Sequence, residues 1–363
     1  MSVYLNQSQL TSPLLGVPPS PSSKMDSKSC YKKLGDAYDQ GSQIWSYTGK
    51  LIVATRSTLS GIAKAPTYIR SGLATSLNQA ATYLKLASLL NLTFIVGTLK
   101  STALKIYYCC TIRDREGAFM NSLTLVNLAT EVFDSTATFI NTVHNLVVRQ
   151  SIGFLAAIGL PLGYVMNGLG VVSRTIKLSK ALYLNHKLPN PTLLSEKKVV
   201  PASKFAAELK ENLGIAKVER QREGLLTAKP QTRNLPDDPK ATEKLTAKRK
   251  EILARALSYN KTSANEAVSA VEALFEKLNT TGDIEVSGIV GQLKNIRAHL
   301  QKKINVDIIG ILASMVMIAS LALFTVGIAT GLPFFLLSFS MLIRTALTAY
   351  ENHPTKVTQD MLS

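Results

Sequence analysis

The chain has 363 residues, with 41 Lys and Arg against 24 Asp and Glu, and three cysteines. One Trp and few other aromatics, against abundant Ala, Leu, Ser, Thr and Lys, disfavour a sandwich or barrel, so the predicted fold class is all-α. Cys30 and the adjacent pair Cys109 and Cys110 cannot build a disulfide framework, and the first charge, Lys24, comes too late for the basic start of a secretory signal peptide.

The basic excess lies before the last third, since 251–363 carries nine basic and nine acidic residues. Basic helices beside apolar spans match the positive-inside bias, which makes a lipid membrane with an anionic face the expected partner. The basic residues are not interleaved with stacking aromatics and no nucleic-acid-binding motif is present, which argues against nucleic acid.

In chain order, 1–30 is a Ser- and Pro-rich leader without periodicity and is expected to be disordered. A helical region follows over 31–183. Ile44, Tyr47, Leu51 and Ile52 recur near 3.6 spacing until Ala65-Pro66, and a long Ala-rich helix or helix pair runs on to Tyr108. Asp114 begins a further helix in which Leu123, Val126, Phe133, Phe139 and Val143 leave Glu131 and Asp134 on another face; it reads as amphipathic and not spanning. Segment 150–173 has no charge between Arg149 and Arg174. Its length permits a membrane span, whereas Gly159, Gly163, Gly168 and Pro161 equally suit a short re-entrant hairpin turning at Gly159 and Pro161, or a kinked soluble helix.

Residues 184–241 turn to Lys, Glu, Pro and Thr and read as a charged linker holding one short helix near 202–213. Residues 242–304 carry helix signals: Ser263 with Glu266 as a capping box, a stripe through Val268, Val271, Phe275 and Leu278, and another through Ile289, Leu293, Ile296 and Leu300. A small antiparallel helical bundle is expected.

The strongest signal is 305–345. Between Asp307 and Arg344 lie 36 uncharged residues broken by "GIATGLP". The first lobe, 308–326, would be about 28 Å long as a helix, close to the hydrocarbon thickness. Gly327, Gly331 and Pro333 supply the turn between two lobes, and Ser314, Ser320, Thr325, Ser338 and Ser340 can bond back to their own helices. Residues 346–363 are a polar tail. "GLP" at 159–161 and again at 331–333 forms a faint echo between the two apolar segments.

No reaction is legible. His144, His186, His299 and His353 are isolated, so neither a metal nor another cofactor is expected, and Asp114, Glu116, Glu131 and Asp134 read as surface partners of Arg113 and Arg115. Cys109 and Cys110, in "KIYYCCTIR", suit S-acylation at a membrane surface; a buried helix end is the alternative.

The polar Ser/Pro leader, helical flanks and bilobed apolar hairpin together resemble the chlamydial inclusion membrane proteins, by hydropathy pattern and not by any residue motif. The resemblance implies type III secretion, insertion in the vacuole membrane, termini in the host cytosol, Lys302 and Lys303 on the cytosolic side, and helical parts that bind a host protein. The expected function is therefore a non-catalytic, membrane-anchored effector or scaffold that recruits partner proteins. A pore or transport component using both apolar segments, and a soluble helical effector with a buried hairpin, are the rivals.

Overall fold

The computed structural model describes residues 27–65, 72–191, 194, 199–227, 239–259, 261–279, 283–328 and 330–353. The leader up to residue 26, the linker stretch 228–238 and the tail after 353 lie outside them. The chain divides into a unit of 1–43, helical from residue 27, and a unit of 44–363 that holds everything discussed below.

The protein is all-α. Helix α1 spans Ser27–Ala63, α2 Gly72–Leu84, α3 Ser88–Thr111, α4 Arg115–Val148 and α5 Gly153–Lys187. Then come α6 Ala202–Asn212, α7 Ala216–Thr227, α8 Pro239–Leu257, α9 Lys261–Leu278, α10 Ser287–Thr325 and α11 Leu332–Asn352. A three-residue antiparallel pair, β1 Val199–Pro201 with β2 Asp283–Glu285, ties the entry of α6 to the entry of α10.

Two kinds of interior divide the second unit. In 184–306 the apolar side chains turn inward: Leu209, Ile215, Leu253, Leu257, Val271, Leu274, Ile289, Leu293, Ile296 and Leu300 form one core and are at most 1% exposed. Among the described residues no large apolar side chain in that stretch is exposed. Before and after it the pattern reverses. On α4, Val126, Phe133, Ile140 and Val147 form an outward stripe at seven-residue spacing, while Ser135, Ala137 and Thr142 face inward. On α3, α5, α10 and α11, Leu104, Val165, Leu312 and Phe339 are likewise exposed, whereas Thr102, Asn167, Ser314, Ser320 and Ser340 are buried. Small and polar residues inside with apolar ones outside is the arrangement that suits lipid as solvent.

Among the described residues four helical stretches are long and apolar enough to cross a membrane: Gly72–Thr111, Gly153–Lys187, Ile289–Thr325 and Leu332–Asn352. The last two form the expected hairpin. Helix α10 ends in a Schellman motif, in which Gly327 adopts φ +76°, its N–H bonds the Phe324 carbonyl and the Ile328 N–H bonds the Leu323 carbonyl. Gly331 caps the returning helix and Pro333 sits in its first turn, where its missing N–H costs nothing. Gly331 also meets α1, since a Cβ there would lie 2.6 Å from the Gly61 carbonyl oxygen.

Several expectations give way. Gly159 and Pro161 make no turn; both lie within the continuous α5. The glycines that lower helix propensity let α5 approach α10, so that a Cβ on Gly163 would meet Leu321 at 3.0 Å and one on Gly170 would meet the Ser314 hydroxyl at 3.6 Å. Packing outweighs propensity there. Residues 184–241 are more than a linker: Leu188, Leu194, Phe205, Leu209, Leu213 and Ile215 belong to the core of 184–306, the head, and α7 adds a second helix. Ser263 does not begin a helix as a cap; it lies within α9 and its hydroxyl accepts from the Tyr259 N–H at 3.1 Å. Two hairpin serines also reach across the hairpin, Ser320 to the Pro333 carbonyl (2.6 Å) and Ser340 to the Ala313 carbonyl (2.7 Å).

Candidate functional site

Charge enters the apolar bundle from the ends of its spans and from two helices outside the hairpin. Helices α5 and α10 run antiparallel, which brings Arg174, the first charge after the second apolar segment, to Asp307, the last before the hairpin (3.6 Å). The Arg174 guanidinium lies flat on Gly310, where a Cβ would sit 2.3 Å from its central carbon, and donates to the Val306 carbonyl. From α11, Arg344 donates to Asn167 Oδ1 at 2.6 Å and to the Ser314 hydroxyl at 3.0 Å. It does not snorkel outward. Lys50 of α1 donates to the Thr348 hydroxyl.

These groups border a polar cavity of about 220 Å³ between α1, α4, α5, α10 and α11, lined among others by Lys50, Asn127, Arg174, Ser314, Arg344 and Glu351. A hydrogen-bonded chain lies alongside: Trp45 Nε1 donates to Asn91 Oδ1 (3.1 Å), and Asn91 Nδ2 donates to Glu131 Oε1 (3.2 Å) and to the Ser135 hydroxyl (3.0 Å). Glu131 therefore points into the bundle, contrary to its reading as a surface partner. Its face was legible as distinct, but which face turned inward depended on how the helices pack.

A second polar cluster joins the head to the spans. Three cations on α10 each cap the carbonyl end of another helix, where the helix dipole favours positive charge. Arg297 donates to the Leu188 carbonyl after α5 (2.6 Å), Lys302 to the His353 carbonyl after α11, and Lys303 to the Arg255 and Ala256 carbonyls of α8, the latter at 3.0 Å. Lys302 also lies over the Tyr259 and Tyr350 rings, 4.5 and 5.2 Å from their centroids. Lys302 and Lys303 are thus buried caps. Burial pushes the Lys303 ammonium down to about 8, and burial followed by the charge of Glu266 pushes the Tyr259 phenol up to about 12.

Asp114, also expected at the surface, is buried. It caps α4 by accepting from the Gly117 N–H (3.1 Å) and forms a two-toothed pair with Arg255 of α8 at 3.2 and 2.5 Å. Cys109 beside it is 1% exposed, with Asn121 3.6 Å away; only Cys110 of the pair is exposed. His144 lies against the Gln150 carbonyl (2.8 Å) and His299 stacks on Tyr259. Among the described residues no group of three His, Cys, Asp or Glu could hold a metal.

No protein family, characterised protein or solved structure matches the chain.

Proposed function

We propose that this is a non-catalytic membrane protein whose apolar helices fix a basic helical head at a cytosolic membrane face, where the head recruits partner proteins. The supporting observation is the reversal of burial at the head boundaries, with α10 crossing one of them unbroken. Its residues 287–306 contribute Leu293, Ile296 and Leu300 to the head core, and 308–325 expose Ile308 and Leu312 as a lipid-facing helix does. A head joined through a continuous helix and three lysine or arginine caps is held at a fixed height and orientation, which lowers the ordering cost of capturing a partner. Type III delivery into a vacuole membrane, with the termini in a host cytosol, follows from the hydropathy resemblance alone and forms the finer part of the proposal. The head, residues 184–306, holds 22 Lys and Arg against 14 Asp and Glu, an excess suited to anionic lipid as well as to protein.

The rival transport reading draws on one observation, the charged cavity, which the uncharged apolar segments by themselves did not foreshadow.

The test is topological. A single cysteine introduced as Glu208→Cys on the exposed face of α6, with the native cysteines replaced, is offered to a membrane-impermeant maleimide in sealed membranes of known orientation. Labelling from the cytosolic side is expected. Labelling only from the opposite side overturns the reading, and export of a reporter fused to residues 1–30 by a type III-competent bacterium separately tests delivery.

A further inference from the structure

Helices α1, α5 and α11 each send one cation, Lys50, Arg174 and Arg344, to the same 220 Å³ cavity, while only one carboxylate, Glu351, lines it. Asp307 engages Arg174 from behind at 3.6 Å, and Glu131 and Lys177 lie close enough to act on the same groups, which leaves four positive groups against three negative ones. Like charges gathered beneath a lipid-facing surface repel strongly, and such an excess persists where an anion offsets it. Two lining residues also hold buried polar atoms with no hydrogen-bond partner: a donor, Arg344 Nε, and an acceptor, Asn127 Oδ1. An acceptor among cations selects within the anions. A halide or a simple carboxylate brings no donor for Asn127 Oδ1, whereas a phosphate oxyanion that keeps one P–OH both accepts from the cations and donates to that oxygen. The cavity exceeds the roughly 30 Å³ share of one water several-fold.

We propose that this cavity binds a phosphate-class oxyanion through Lys50, Arg174 and Arg344, with Asn127 accepting its P–OH. The site is distinct from the recruiting head and requires only the membrane bundle, so failure of either proposal leaves the other standing. The phosphate can come from solution or from a phosphomonoester lipid headgroup such as phosphatidic acid.

The test uses the full chain in two settings. In detergent, radiolabelled inorganic phosphate is titrated by equilibrium dialysis at constant ionic strength, with chloride as competitor. In nanodiscs of phosphatidylcholine with or without phosphatidic acid, retained lipid is read by native mass spectrometry. The wild type is expected to bind one or both probes saturably. Asn127→Asp, which puts a carboxylate in the lining without removing a cation, weakens binding tenfold or more, as does Lys50→Gln, while Glu208→Gln on the head leaves it unchanged. Saturable inorganic phosphate identifies a soluble oxyanion; retention of phosphatidic acid alone identifies a headgroup. No saturable binding of either probe overturns the site. So does wild-type affinity in Lys50→Gln, the variant that carries the conclusion if Asn127→Asp fails to fold by circular dichroism.

Discussion

Gly117→Ala offers the sharpest test of how the head is fastened to the bundle. Gly117 is the third residue of α4, and helix propensity by itself predicts that alanine stabilises by about 1 kcal/mol. The packing predicts the opposite. A Cβ at 117 would lie 2.3 Å from Asp114 Oδ2, 2.8 Å from Arg255 Nη1 and 2.9 Å from Cys109 Sγ, three atoms already held in place. Relief requires the Asp114 carboxylate to move, which loses the N-cap bond, about 1 kcal/mol, and splits a pair whose carboxylate is only 6% exposed, about 3 to 5 kcal/mol when one buried partner is left alone. The net expectation is a loss of about 3 kcal/mol or more once the propensity gain is set against it. The assay is denaturant unfolding of the detergent-solubilised protein, run as a cycle with Asp114→Asn. Most of the Gly117→Ala cost should vanish in the Asp114→Asn background, because the two changes break the same contact. A neutral or stabilising Gly117→Ala, or costs that simply add, would refute the claim that Asp114 and Arg255 fasten α4 to α8.

Other predictions follow from the same structure. Ser320→Ala and Ser340→Ala each remove a hydroxyl-to-carbonyl bond across the hairpin and should cost about 0.6 kcal/mol apiece in detergent unfolding, the scale of interhelical bonds in membranes; no effect from either would mean that the hairpin is held by packing alone. Lys303 and Tyr259 set opposite pH trends. The folded state releases the Lys303 proton near pH 8 and the unfolded chain near 10.5, so stability rises with pH across that window. Tyr259 keeps its proton to about 12 when folded and loses it near 10 when unfolded, so its contribution falls from pH 10 upward. Thermal midpoints from pH 7 to 12 should show a rise that Lys303→Met abolishes and a later fall that Tyr259→Phe abolishes. Finally, a chain lacking 308–343 should remain in the pellet on alkaline carbonate extraction, since Gly72–Thr111 and Gly153–Lys187 also have spanning length; release of that variant would show the hairpin to be the sole anchor.

Local signals in the sequence were enough for the helical class, the α10–α11 turn and the stripes of α9 and α10. Gly327, Gly331 and Pro333 act through backbone conformation within a few residues of themselves, and Val271, Ile289 and Leu293 follow a water-facing rule that needs no knowledge of partners. Gly159 and Pro161 were misleading because propensity describes an isolated helix, while α5 is stabilised by the surface its glycines open to α10. The stretch 72–111 carries its apolar character in alanines, leucines and tyrosines mixed with Ser, Thr and Lys, so its spanning length did not stand out.

Composition and periodicity therefore determined that the chain is helical, where it turns at the far end of the hairpin, and that 308–343 belongs with apolar surroundings, because each of these depends on neighbours in sequence. Tertiary structure alone decided which face of α4 turns inward, that Asp114 finds Arg255, and that Lys50, Arg174 and Arg344 gather around one cavity. A helix pattern separates two faces without saying which is inside, and in a bundle solvated by lipid the usual assignment inverts. Pairing of charges 141 residues apart in sequence depends on how helices cross, which no local rule encodes.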